Sequence, residues 1–175
     1  MELKKVYIGI DPGLTGAVAA IYQGGYQVWD APTLETKTRR YPCVELMASL
    51  IESIRGEFDE AVAAVERAQS APQQGIASTF NYGVGYGMWL GVLAASNVKT
   101  LKPRPQEWMA WVFSDHGTPN LDKKERSRRR AIQLFPEADL DLKRHHGRAE
   151  ALLIAEWSRR VGWSMATSNR AVQVQ

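Results

Sequence analysis

Three acidic residues stand where the chain could do metal or phosphate chemistry. Asp11 ends the apolar, β-branched run Val6-Tyr7-Ile8-Gly9-Ile10 and is followed at once by Pro12-Gly13. Such a run predicts a buried central strand with a carboxylate at its end, although an Asp that opens a Pro-Gly turn can also do no more than accept backbone hydrogen bonds. Glu66 follows Ala61 to Val65 in the same way, with solvent or Arg67 as its alternative partner. Glu150 is read by helical spacing: Leu153, Ile154, Trp157 and Val161 lie three, four, seven and eleven residues on, so the carboxylate extends a buried apolar stripe. Glu156, followed at those spacings by Arg159 and Arg160, reads as a solvated salt-bridging face. His146, four residues before Glu150, falls on the same side of the helix as that acid.

An ionised carboxylate on a core face needs a cation or a proton, because its uncompensated burial costs several kcal/mol. If Asp11, Glu66 and Glu150 converge, like charges ~4 Å apart repel by roughly 4 kcal/mol per pair at an effective dielectric near 20. Divalent cations relieve that repulsion. Carboxylate oxygens with few nitrogen ligands favour Mg²⁺ or Mn²⁺ over zinc, and two such ions can activate a water and stabilise the leaving oxygen in phosphodiester cleavage.

The elements that must position these residues follow from the pattern. Strands are predicted near 4–11, 15–22 and 26–31, with Gly24-Gly25 turning a hairpin. A polar loop over 32–42 leads to a helix over 44–54 and a buried strand over 61–65. A long helix over 76–96, a strand over 98–101, and helices over 106–113, 123–135 and 148–162 complete one α/β domain spanning 1–163, with 164–175 expected to be a disordered tail. In the long helix Gly83, Gly87 and Gly91 recur every four residues. Each glycine costs roughly 1 kcal/mol relative to alanine, so the row predicts close approach of the protein's own sheet or last helix, of a second subunit, or of DNA.

Bulk properties narrow the function classes. The chain of 175 residues carries a net charge of +3 and a single cysteine, Cys43, which rules out an intrachain disulfide or a cysteine zinc cluster. No apolar run approaches a signal segment or a membrane span, so a soluble, cytoplasmic protein without a membrane partner is expected. The charge is uneven: Lys123, Lys124, Arg126, Arg128, Arg129 and Arg130 crowd one segment. That segment is either a solvated helix face or a surface for a polyanion.

The motifs together resemble a family. Ile8-Gly9-Ile10-Asp11-Pro12-Gly13 with Thr15-Gly16, Val65-Glu66, and Ala149-Glu150-Ala151-Leu152-Leu153-Ile154-Ala155 are similar, in order and element, to the three acidic motifs of RuvC-type Holliday junction resolvases. The glycine-rich 81–91 helix, Pro105-Gln106-Glu107-Trp108, and Asp122-Lys123-Lys124 leading to Leu134-Phe135-Pro136 resemble the bacteriophage and prophage branch. The resemblance covers about 5–160. It implies an RNase H-like fold, a mixed central sheet of three antiparallel then parallel strands flanked by helices. It further implies two Mg²⁺ ions per site, with Mn²⁺ as the alternative, and a homodimer that nicks opposing strands of a four-way junction in branched DNA. Asp11 would bridge both ions, Glu66 would bind one, and Glu150 would complete the site. Many relatives carry another acid three or four residues before Glu150, where this chain has Gly147 and His146. His146 is therefore the expected fourth ligand or proton carrier, with His145 second, and imidazole suits Mn²⁺ better than Mg²⁺.

Lys102, Arg104, Lys123, Lys124 and Arg148 are the expected phosphate contacts. The rival to a nuclease is a junction-binding protein with weak or no cleavage. An actin-like or sugar-kinase ATPase shares the Asp11-Pro12-Gly13 turn, but needs two lobes and a longer chain.

Overall fold

The computed structural model describes residues 3–69, 75–114 and 122–168, with side chains described to residue 161. The apolar first strand, β1 (Lys5–Asp11), is central. It pairs antiparallel with β2 (Ala17–Tyr22), which pairs antiparallel with β3 (Gly25–Asp30). On its other side β1 pairs in parallel with β6 (Glu60–Val65), and β6 with β7 (Lys99–Leu101), giving the sheet order β3-β2-β1-β6-β7. This is the mixed α/β architecture that the sequence predicts.

Between β3 and the first helix, the expected polar loop is instead a small hairpin, β4 (Thr33–Glu35) and β5 (Arg40–Pro42). Each strand is three residues long, too short for an alternating pattern to declare it. Then come α1 (Val44–Gly56) and α2 (Ile76–Ala95), followed beyond β7 by α3 (Pro105–Val112), α4 (Lys123–Leu134) and α5 (His146–Ser168). α5 runs past the expected end at 162 and takes in 164–168, part of the expected tail; the rest of that tail, 169–175, lies outside the described residues.

The strand period of two sorts the core into two faces. Val6, Ile8 and Ile10 pack with Met47, Ile51 and Ile54 of α1 and Trp89 and Leu93 of α2. Tyr7, Val62 and Ala64 point to the other face, with Leu152, Leu153 and Ala155 of α5 and Trp108 of α3. α5 lies almost on the backbone of β1: a Cβ at Gly9 would stand 2.1 Å from the Ala151 carbonyl oxygen and 2.3 Å from the Ala155 nitrogen. Only a residue without a side chain lets helix and strand meet this closely.

The glycine row of α2 behaves differently. A Cβ at Gly83, Gly87 or Gly91 would meet nothing within 4 Å, so the row does not pack on the sheet or on α5. The glycine of this helix that does pack is Gly85, whose Cβ would stand 3.0 Å from the Pro12 carbonyl oxygen.

Glu156 also departs from expectation. It is 6% exposed, because neighbouring elements cover α5 nearly all round from Ala149 to Ser158. Arg159 donates to both of its oxygens at 2.7 Å and Arg160 to one at 2.9 Å. Burial pushes this carboxyl up, but the hydrogen bonds from the two arginines outweigh it and hold the group below the usual range.

Candidate active site

Strand parity brings the first two acids together. Gly9 pairs with Ala64 and Ile10 with Val65, and the Glu66 nitrogen donates to the Ile10 carbonyl at 3.1 Å, so Asp11 and Glu66 end adjacent parallel strands in register. Asp11 has the parity of Tyr7 and Gly9, and Glu66 that of Val62 and Ala64; both sets face α5. Glu150, near the start of α5, is 8% exposed. The three carboxylates and His146 line one open cavity of about 1000 Å³, together with Lys123 and Lys124 from the start of α4 and Ser78, Asn81 and Tyr82 from α2.

Each carboxylate has its own support. The Gly13 nitrogen donates to Asp11 Oδ1 at 3.2 Å, the indole Nε1 of Trp108 to Glu66 Oε2 at 2.7 Å, and Ser127 Oγ to Glu150 Oε1 at 3.4 Å. Their electrostatics reveal crowding of negative charge. Burial raises the Asp11 carboxyl above its ordinary range, against the Gly13 N–H and the charges of His146, Lys123 and Lys124. Burial likewise raises Glu66, opposed by Lys123 and the Trp108 hydrogen bond and reinforced by Asp11. Glu150 is pushed up to about 7, first by burial and then by Asp11 and Glu66, with Lys123 opposing. Tyr82 is raised by burial and by all three acids, so its hydroxyl stays protonated and able to donate.

Among the described residues, no group of three or more His, Cys, Asp or Glu side chains is arranged to hold a metal ion as it stands. The donor set nevertheless fits hard divalent cations: around one cavity Asp11 raises the proton affinity of Glu66, and both raise that of Glu150, so cations entering it would replace the protons. Asp11, Glu66 and Glu150 are the residues that could hold such ions, with His146 beside them.

Gly147, three residues before Glu150, leaves no room for a side chain. A Cβ there would stand 2.4 Å from the Thr15 carbonyl oxygen and 2.9 Å from Gly16 Cα, because the start of α5 abuts the turn after Asp11. The two histidines part company at this point. His146 lines the acidic cavity, whereas His145 is 7% exposed, lies 3.4 Å from Asp139 and lines a separate cavity with Arg40, Arg144 and Arg148. The second-choice ligand is thus away from the three acids.

The expected phosphate contacts also divide. Lys123 and Lys124 line the cavity, while Lys102 and Arg104 are exposed between β7 and α3, outside its lining. Arg148, the fifth expected contact, pairs with two acids: its guanidinium donates to Asp30 at 2.6 and 2.9 Å and to Asp139 at 2.7 Å, tying the end of β3 to the start of α5. Most of the basic run on α4 is structural as well. Arg128 and Arg129 bind Glu125, Arg130 Nε donates to the Val112 carbonyl at 3.1 Å, and Arg126 lies 4.0 Å over the Phe113 ring.

The arrangement of sheet and helices has known counterparts. The fold is that of RuvC. A structure of Thermus thermophilus RuvC in complex with Holliday junction substrate superposes with a TM-score of 0.57 at 16% identity, over 92% of this chain and 97% of that one. A further structure of Thermus thermophilus RuvC superposes at 0.56 and 19% identity, over 90% and 96%. This likeness bears out the RNase H-like fold. No family model matches the sequence, and neither does a curated protein. No helix among the described residues is long and apolar enough to cross a membrane.

Sequence reasoning missed Ser78, Asn81, Tyr82, Trp108 and Ser127. The first three carry a readable signal, since polar residues three and four apart form one stripe on an otherwise apolar helix. Nothing in the sequence around Trp108 or Ser127 marks them as partners of Glu66 and Glu150.

Proposed function

We propose that this chain is a metal-dependent, structure-selective endonuclease that resolves Holliday junctions and other branched DNA, two subunits of a homodimer making paired nicks by phosphodiester hydrolysis. The observation that carries the reading is the convergence of Asp11, Glu66 and Glu150 with Lys123 and Lys124 on one open cavity. The RuvC likeness supports the substrate class, because one of the solved neighbours is a complex with a Holliday junction substrate.

When bound, two Mg²⁺ or Mn²⁺ ions would supply Lewis acidity at the scissile phosphate and acidify the attacking water. Asp11, Glu66 and Glu150 are the residues that would hold these ions. Lys123, whose charge opposes the raised proton affinity of all three acids, favours their ionised forms, and with Lys124 it draws the phosphate backbone in. His146 lines the cavity with the acids and can ligate an ion or carry a proton; an imidazole ligand favours Mn²⁺. Ser78, Asn81 and the protonated Tyr82 offer uncharged donors to backbone oxygens. Lys102 and Arg104 would meet DNA farther from the cut.

Support for the homodimer comes from α2. Gly83, Gly87 and Gly91 continue a stripe begun by Ile76, 91% exposed, and Phe80, 68% exposed, so an apolar, small-residue face is left without a partner among the described residues of the protomer. The motif resemblance favours the bacteriophage and prophage branch, in which clearing branched DNA before packaging is the fitting role.

The test is a panel of labelled substrates: an immobile four-way junction, a flap, a Y-fork and linear duplex, each with Mg²⁺, Mn²⁺ or EDTA. The proposal expects paired, symmetric nicks in the junction with metal and none in EDTA. Tight junction binding with no cut in either metal would move the chain to the class of junction-binding proteins.

A further inference from the structure

Trp108 lies on α3 with its side chain fully buried, 0% exposed, in the core beneath α5. Its one polar atom, Nε1–H, donates to Glu66 Oε2 at 2.7 Å, across 42 residues of sequence. A buried indole N–H usually finds an acceptor, and a backbone carbonyl would serve. This fold also tolerates a buried indole with none among the described residues: Trp89 is 0% exposed and its Nε1 has no hydrogen-bond partner there. The Trp108 bond is therefore not demanded by burial alone, and it falls on one of the three carboxylates that line the cavity.

Glutamate at a strand end has three side-chain torsions to fix, and a carboxylate offers about four lone-pair directions. The indole occupies one of them and leaves the others for cations. The contacts holding Asp11 and Glu150, at 3.2 and 3.4 Å, are longer, so Glu66 is the most firmly held of the three acids. We propose that Trp108 is a positioning residue, whose indole N–H fixes the Glu66 carboxylate in the orientation that receives a divalent cation. This inference rests on the reading of the cavity as a cation site. Partners that orient metal ligands typically change metal affinity by about 10- to 100-fold when removed.

The test uses the full chain without DNA. Free Mn²⁺ is followed by electron paramagnetic resonance during titration of wild type and Trp108→Phe, which keeps an aromatic ring and removes the donor. The proposal expects Mn²⁺ binding about 10- to 100-fold weaker in Trp108→Phe, with nicking returning toward the wild-type rate once the metal saturates. A second readout is the assigned Trp108 indole N–H resonance in ¹⁵N-labelled protein. It should move upfield in Glu66→Gln, whose neutral amide is a weaker acceptor, and respond to Mg²⁺ in the wild type.

Equal Mn²⁺ affinity in wild type and Trp108→Phe would overturn the positioning role alone. So would an indole resonance indifferent to both Glu66→Gln and Mg²⁺, and this readout decides the matter if Trp108→Phe fails to fold. A wild type that binds no Mn²⁺ would overturn the metal-site reading and the inference with it.

Discussion

Removing one buried charge should stabilise this protein when metal is absent. Glu150 is held at about 7 by burial and by Asp11 and Glu66, against an ordinary value of 4.5. Between those values the unfolded chain gives up its proton while the folded protein keeps it, so the folded state binds more protons and stability falls as pH rises. The penalty begins above pH ~4.5, is complete above pH ~7, and amounts to about 3 kcal/mol at ~1.4 kcal/mol per pH unit. Access of solvent through the open cavity reduces it to about 1–3 kcal/mol. Glu150→Gln removes the ionisation, so at pH 8 in EDTA the variant should melt roughly 3–10 °C above wild type, with little difference at pH 4.5. Differential scanning calorimetry across pH 4.5–8 reads this directly. Addition of Mg²⁺ should stabilise wild type more than the variant, because the cation relieves the same repulsion. A variant no more stable than wild type at pH 8, or a wild type whose melting is flat across the range, would refute the charge-crowding argument.

Lys123→Ala should raise the proton affinity of all three acids, moving the rising limb of the cleavage pH profile upward and lowering the salt slope of junction binding by about one. Cleavage and filter-binding titrations check both. Arg148→Ala breaks the tie between Asp30 and Asp139; since those partners are 69% and 70% exposed, chemical denaturation should show a loss of only about 1 kcal/mol, with the salt slope of binding unchanged. Gly87→Leu meets open space, so circular dichroism should show a folded protein, while sedimentation should show the dimer lost if the glycine stripe is its interface.

The fold was legible in sequence wherever one period dominated. The apolar first strand, the parallel strand over 60–65 and the apolar stripe through Glu150 each point to one element and one face, and together they bring the three acids to a common cavity. What was not legible depends on contacts between distant segments. The α2 glycines looked like a packing device because helical glycine is costly, yet the close approaches fall at isolated glycines, Gly9 under α5 and Gly147 against the Thr15 turn. Glu156 matched a surface pattern locally, but helix pairing by itself does not tell whether a neighbour covers that face, and here the face is covered. The ion pairs of Arg148 carry no local signature either, because its partners, Asp30 and Asp139, lie 118 and nine residues away in the chain. The Trp108 bond to Glu66 spans 42 residues and has no local signature.

The most direct test of the central claim, that these acids form a metal-dependent nuclease site, is nicking of an immobile four-way junction by wild type and Asp11→Asn side by side. Both proteins would be present at equal junction occupancy, in Mg²⁺ and in Mn²⁺. Asp11→Asn removes a metal-binding charge and leaves Lys123 and Lys124 in place, so the account predicts binding retained and cleavage lost in both metals. Undiminished cleavage by Asp11→Asn would place the chemistry elsewhere and contradict the account.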